Sequence, residues 1–87
     1  MDIRTHRIFN KQFKKLSQQH QAMVDKAILI FRKNPFDPRL SNHGLKGVMH
    51  GKRSIAATDD LRIIFEEFDG YTVVILLKVG GHGKVYE

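Results

Sequence analysis

The chain has no cysteine in its 87 residues, which excludes a disulfide framework and a cysteine nucleophile. Long apolar runs are also missing: the longest, "YTVVILLKV", contains a lysine and is far shorter than the ~20 residues of a membrane helix. The opening "MDIRTHRIFN" lacks the apolar segment of a signal peptide. We therefore expect a soluble, cytoplasmic protein with one domain over residues 1–87 and a small core.

Several kinds of catalytic or binding site are disfavoured by spacing. None of the five histidines is paired at a zinc-ligand spacing, and the glycine-dotted "GLKGVMHGKRS" lacks the order of a P-loop. No serine lies in a nucleophile elbow. These patterns argue against a zinc site, a nucleoside triphosphate site and a serine hydrolase.

Positive charge is in excess, with 15 Lys and Arg against 9 Asp and Glu, a formal net charge of +6. Such an excess favours a polyanionic or acidic partner. Charge alone is equally compatible with a solvated basic surface, so it does not choose a function.

The first half of the chain predicts one strand followed by helices. Residues Ile3 to Phe9 alternate enough for a strand, and Asn10 is suited to cap a helix. Helical spacing then places one set of apolar residues inward: Phe13, Leu16, Met23, Val24, Ala27, Ile28 and Phe31. This predicts two helices, or one with a break near His20, ended by "NPFDP" because proline disfavours a continuing helix.

The second half predicts a loop and three strands. Residues Phe36 to Lys52 are polar and glycine-dotted, typical of a long ordered loop. The predicted strands are Arg53–Thr58, Leu61–Phe68 and Tyr71–Val79, the last two joined by a two-residue turn at Asp69-Gly70. The expected fold is α+β: two N-terminal helices packed on one face of a twisted, mainly antiparallel four-stranded sheet.

A two-residue turn would place Arg62 opposite Leu77, at the end of the sheet where the last strand runs into "GGHG". His82 and the Asp59-Asp60 turn would lie there, and a short return of the chain would bring Tyr86 beside them. Each residue alone has an ordinary structural explanation, as a turn residue, a half-exposed strand cation or a capping aromatic. Only their convergence indicates a site.

The segments "NHGLKG", "GKRSI", "DDLRIIF", "VVILLKVGGH" and "KVY", in this order, resemble the RelE/YafQ superfamily of toxins from type II toxin–antitoxin systems. The resemblance covers nearly the whole chain. It implies a RelE-like microbial RNase fold and an mRNA interferase that cuts messenger RNA in the ribosomal A site. It also implies a cognate antitoxin partner that binds operator DNA.

Carried over by position, the resemblance implies five catalytic residues. His82 and Tyr86 match the C-terminal histidine and following aromatic of YafQ-like members, His43 the loop histidine, and Asp60 the acid before a strand. Arg62 matches the arginine that RelE-like members hold at a scissile phosphate.

The implied chemistry is acid–base cleavage of RNA without a metal or other cofactor, in which His82 is the principal acid or base and His43 its complement. Arg62, together with Arg53 or Lys46, would stabilise phosphate charge. Asp60 would orient a histidine, and Tyr86 would stack on or position a base. Four further cations are expected to bind RNA: Lys46, Arg53, Lys78 and Lys84. Hairpin arithmetic places Arg53 toward the opposite end of its strand from Arg62.

Two alternatives stay open. Ser54 and Ala56 stand where the YafQ-like branch has an acid and a second histidine, so a catalytically weak homologue that mainly binds an antitoxin is one. A ParE-like gyrase inhibitor without RNase activity is the other, although that branch generally lacks a pair such as His82 and Tyr86. The basic residues of the predicted helices either contact ribosomal RNA phosphates or form a solvated face: Lys11, Lys14, Lys15, Lys26, Arg32 and Lys33.

Overall fold

The computed structural model describes residues 1–86 and has a mixed five-stranded sheet, two helices on one face and a short C-terminal helix. The elements are β1 (Asp2–Thr5), α1 (Arg7–Lys15), α2 (Gln18–Lys33), β2 (His43–Gly44), β3 (Arg53–Ala56), β4 (Leu61–Phe68), β5 (Val73–Gly81) and α3 (His82–Val85). The strand order is β1-β5-β4-β3-β2, with β1 parallel to β5 and the other pairs antiparallel.

The predicted α+β class is confirmed, with one strand more than expected. The extra strand is β2, two residues long, inside the segment predicted as a loop. Two 3₁₀ turns, Pro38–Leu40 and Gly47–Met49, also lie in that segment. No helix within residues 1–86 is long and apolar enough to cross a membrane.

The predicted first strand, Ile3 to Phe9, is too long, and Asn10 is not a helix cap. The first strand ends at Thr5, and the His6 side chain caps α1 by accepting a hydrogen bond from the Ile8 N–H at 3.0 Å. Phe9 lies in the helix, buried at 4% exposure and stacked on Phe13 one turn later. The sequence of residues 6–9 is compatible with a strand or a helix. The helix forms because it buries Phe9 in the core, and this packing outweighs local propensity.

The break between the two helices lies at Leu16 and Ser17 rather than near His20. Ser17 caps α2 by accepting a hydrogen bond from the His20 N–H at 3.1 Å, a role that serine fills commonly. The helix ends at Lys33, before the first proline, as predicted.

The main core lies between α1, α2 and one face of the sheet. Phe31 of α2 meets Phe65 of β4 edge-to-face, with ring centroids 5.0 Å apart. The buried residues of this core are Phe9, Val24, Ala27, Phe31, Leu40, Ile55, Leu61, Ile63, Phe65, Val74, Leu76 and Val79. The inward positions predicted for α2 are therefore largely confirmed, except that Met23 remains exposed.

The hairpin between β4 and β5 has a four-residue loop, not the two-residue turn predicted at Asp69-Gly70. Phe68 pairs with Val73, and three consecutive loop residues have positive φ angles, 54°, 59° and 68°. The third of them, Tyr71, turns its ring toward Phe31 at 5.9 Å. This packing extends the loop beyond the shorter turn that local sequence favours.

A β-bulge between Ile64 and Phe65 shifts the pairing further, so Arg62 lies opposite Gly80 and not opposite Leu77 as predicted. The extra residue in β5 also reverses which side chains face inward. Val79 therefore remains in the core, whereas Lys78 and Gly80 belong to the other face of the sheet. The result brings Arg62 directly beside the start of α3.

Candidate active site

The sheet face opposite α1 and α2 is covered by α3, and we call it the α3 face. Pairing and alternation place Ser54, Arg62, Ile64, Lys78 and Gly80 on it. Val85 of α3 seals this face: both it and Ile64 are 0% exposed. Helix α3 packs closely on the sheet at Gly80, where an added Cβ would lie 3.4 Å from Val85 Cγ1. The absence of a side chain at Gly80 therefore allows this close packing.

His82 begins α3, and Tyr86 directly follows its last residue. Their rings meet edge-to-face, with centroids 4.6 Å apart. The Tyr86 hydroxyl and the Ser54 hydroxyl share a hydrogen bond of 2.8 Å. His82 itself is exposed, so its imidazole can reach a bound molecule.

Arg62 and His82 are held by the same turn. The Arg62 Nη2 donates to the Asp59 carbonyl at 2.8 Å, and the His82 main-chain N–H donates to the Asp60 carbonyl at 3.0 Å. The Arg62 Nε is buried and has no hydrogen-bond partner. Because a guanidinium has five N–H donors and the bond to Asp59 uses one of them, the Nη groups have capacity for a further acceptor, such as a phosphate oxygen.

His43 lies at the far edge of the α3 face. It pairs directly with Ser54 across β2 and β3, which puts the two side chains on one face. The exposed His43 ring donates from Nδ1 to the Ser41 carbonyl at 2.9 Å, leaving Nε2 as the ring nitrogen for other partners. The order across the face is therefore His43, Ser54, then the Tyr86 and His82 pair.

The other predicted site residues do not all lie on the α3 face. Asp60 meets His82 through its main-chain carbonyl, and no contact of its carboxylate with a histidine is found within residues 1–86. Lys78 pairs with Ile64 on the α3 face, and Lys84 is exposed on α3 itself. Lys46 is exposed at the start of the second 3₁₀ turn, outside the strands that form the face.

Arg53 does not join the site. It pairs with Phe65, whose side chain belongs to the main core, so it points to the helix side of the sheet. There its Nε donates to Asn42 Oδ1 at 3.0 Å and its guanidinium lies 5.8 Å from the Phe36 ring centroid. The predicted partnership of Arg53 with Arg62 at one phosphate is inconsistent with this placement.

The arrangement can perform proton transfer and hold an anion. Two exposed imidazoles and one guanidinium share a face, with a phenol fixed between them. Imidazole exchanges protons near neutral pH, and guanidinium binds phosphate oxygens. Within residues 1–86, no three His, Asp or Glu side chains are grouped to hold a metal ion.

Sequence reasoning treated Ser54 only as a departure from a family pattern. In the structure it is a fully buried polar residue whose recorded partner is the Tyr86 hydroxyl. The sequence did place a serine next to the apolar Ile55 within a predicted strand. It could not show that Ser54 is buried, because the partner that satisfies its hydroxyl is 32 residues away.

The fold just described matches that of RelE-like toxins. The model of the YafQ family, bacterial toxins of type II toxin–antitoxin systems, matches residues 1–87, and the chain belongs to that family. No curated protein matches the chain at a significant level.

Solved structures share this fold. YafQ of Escherichia coli strain BL21(DE3) superposes with a TM-score of 0.82 at 18% identity, covering 99% of this chain and 98% of that one. YafQ in the Escherichia coli DinJ–YafQ toxin–antitoxin complex gives 0.78 at 20% identity, covering 99% and 97%. A chain of the RelBE2 toxin–antitoxin complex of Mycobacterium tuberculosis gives 0.77 at 20% identity, covering 93% and 96%.

Proposed function

We propose that this toxin is an endoribonuclease, an mRNA interferase that cuts messenger RNA on the ribosome by acid–base chemistry. The observation that carries the proposal is the placement of an exposed imidazole and a guanidinium at the same turn. His82 and Arg62 are bound to adjacent carbonyls of one turn, so they are presented together at one rim of the sheet.

Cleavage requires a base to take the proton of a ribose 2′-OH, a cation at the phosphate and an acid for the departing 5′-oxygen. His82 serves as the principal acid or base, and His43 as its complement across the face. Arg62 places its guanidinium at the phosphate, where its Nη groups stabilise the developing charge. The half-buried Tyr86 positions a base or the His82 ring, and Lys78 and Lys84 lie where the RNA strand would pass.

The expected partners follow from the family and the charge. Neutralisation by a cognate antitoxin is supported by the DinJ–YafQ and RelBE2 complexes, whose toxins share this fold. The net charge of +6 suits both an acidic antitoxin segment and ribosomal RNA. The antitoxin would carry any binding to operator DNA, and the cytoplasm is where these partners meet.

The test is expression of the chain without an antitoxin, with cleavage of translated messages mapped by primer extension. Wild type should arrest growth and produce cuts in phase with codons, and His82→Ala should abolish both. His20→Ala is the matched control, since His20 is an exposed histidine on α2 outside the α3 face. Arrest with DNA damage and intact messages would instead identify a gyrase inhibitor, and harmless expression of a folded chain would identify an inactive homologue.

A further inference from the structure

Ser54 is the one fully buried polar side chain in the described part of the chain, at 0% exposure. A buried hydroxyl without a hydrogen bond is costly, and the partner that satisfies this one is the Tyr86 hydroxyl at 2.8 Å. Tyr86 follows the last turn of α3 and is only half-buried. The bond therefore ties the end of a short helix to strand β3.

The remaining attachments of α3 do not orient the His82 ring. The Asp60 carbonyl holds only the His82 main chain, and Val85 anchors the helix by burial. The side-chain contact recorded for the His82 ring is the edge-to-face packing against Tyr86, at 4.6 Å between centroids. Whatever fixes the Tyr86 ring therefore also restricts the imidazole.

We propose that Ser54 is a positioning residue whose hydroxyl fixes Tyr86, so that Tyr86 in turn holds the His82 imidazole in place for RNA cleavage. The inference rests on the proposed endoribonuclease function. It makes Ser54, which stands where the YafQ-like branch has an acid, a working part of the site. It also gives Tyr86 a role in orienting the imidazole besides any contact with a base.

The first measurement does not require activity. The ring current of Tyr86 displaces the NMR signals of the His82 ring protons, since the two rings are in edge-to-face contact. In Ser54→Ala and in Tyr86→Phe, those signals should move toward the values of an exposed histidine. The His20 signals, from an exposed ring on α2, should stay unchanged and serve as an internal reference.

The second measurement is the rate of message cleavage on the ribosome under single-turnover conditions. Ser54→Ala and Tyr86→Phe should each lower the rate about 5- to 10-fold, the value of one lost hydrogen bond. The double variant should be no slower than either single variant, because both changes remove the same bond. Half-saturating ribosome concentration should stay constant, since the loss concerns orientation and not binding.

Thr72→Ala is the matched control: it removes another side-chain hydroxyl bond, to the Asp69 carbonyl, at the opposite end of β5. Its cleavage rate and its His82 signals should equal those of wild type. Ser54→Thr retains the hydroxyl and should cut faster than Ser54→Ala. Tyr86→Phe keeps the inference testable if Ser54→Ala does not fold.

Two outcomes would overturn the inference: His82 signals that do not move in Ser54→Ala and Tyr86→Phe, or additive rate losses in the double variant. A wild-type chain that cuts no message would overturn the proposed function instead. The NMR comparison would still report whether Ser54 holds the ring pair, so the two failures are distinguishable.

Discussion

Arg62 and His82 are attached to neighbouring carbonyls, those of Asp59 and Asp60, although the two residues are 20 positions apart in the chain. One turn thereby sets the spacing between the guanidinium and the start of α3. The pairing of Arg62 with Gly80 adds a second constraint from the sheet. These contacts fix the position of the Arg62 guanidinium and of the His82 main chain, whereas the His82 ring packs on Tyr86.

Replacement of Arg62 by alanine should lower message cleavage about 10²-fold, because the phosphate loses its preorganised cation. Arg62→Lys should recover little of this, since an ammonium cannot reproduce the fixed fork of a guanidinium. The control is Arg4→Ala, at an exposed arginine on β1 that forms an ion pair with Asp2. The measurement is the single-turnover rate of message cleavage. Equal rates for Arg62→Ala and wild type would show that Arg62 does not take part in the reaction.

Gln12 should stabilise the part of β5 that extends beyond β1 and therefore has no strand on that side. Strand β1 pairs with β5 only as far as Leu76, and the Gln12 Oε1 accepts a hydrogen bond from the buried Val79 N–H at 2.8 Å. Gln12→Ala should lower the free energy of unfolding by about 1–3 kcal/mol, as expected for an unsatisfied buried N–H. Urea denaturation measures this, and Lys11→Ala, at an exposed α1 position, should change it by less than about 0.5 kcal/mol. A Gln12→Ala midpoint equal to that of Lys11→Ala would contradict the assignment.

Arg53 is predicted to act on stability and not on cleavage. Its hydrogen bond to Asn42 and its contact with Phe36 lie on the helix side of the sheet. Arg53→Ala should lower the free energy of unfolding by about 1 kcal/mol. Arg53→Lys should lose most of the same amount, because lysine keeps the charge but not the planar donor geometry. A loss of cleavage in Arg53→Ala without a change in the unfolding curve would show that Arg53 binds RNA after all.

Asp37 should give the fold a component of acid sensitivity. Hydrogen bonds from the Arg39 side chain, and then from its main-chain N–H, lower the pKa of the Asp37 carboxyl from 3.8 to about 2. A carboxyl pKa lowered by folding stabilises the protein above the unfolded value and loses that effect as pH falls toward the folded value. The stability difference between wild type and Asp37→Asn should therefore be present at pH 5 and shrink between about pH 4 and pH 2.

The same assignment can be checked site by site with a carbon-detected NMR titration of the Asp37 carboxyl. Arg39→Ala should return its pKa toward the ordinary value, since the arginine is the main cause of the shift. An unaltered titration in Arg39→Ala would assign the shift to another group.

The composition and periodicity of the chain determined much of this protein. Helical spacing identified the buried side of α2, a proline set its end, and the bounds of β4 were predicted without error, because such features depend on neighbouring residues. Family-like segments also named His82, Tyr86, His43 and Arg62, which the fold brings to one face.

Tertiary packing alone decided the register and the anchoring of that face. Inclusion of Tyr71 in the core lengthens the β4–β5 loop, and the bulge shifts the pairing again, so Arg62 meets Gly80 rather than Leu77. The side of the sheet to which Arg53 points, and the bond between Ser54 and Tyr86, likewise follow from strand pairing between distant segments. The local periodicity of a strand does not determine which residues of a distant strand it pairs with. That register depends on which side chains fill the core once the strands have paired.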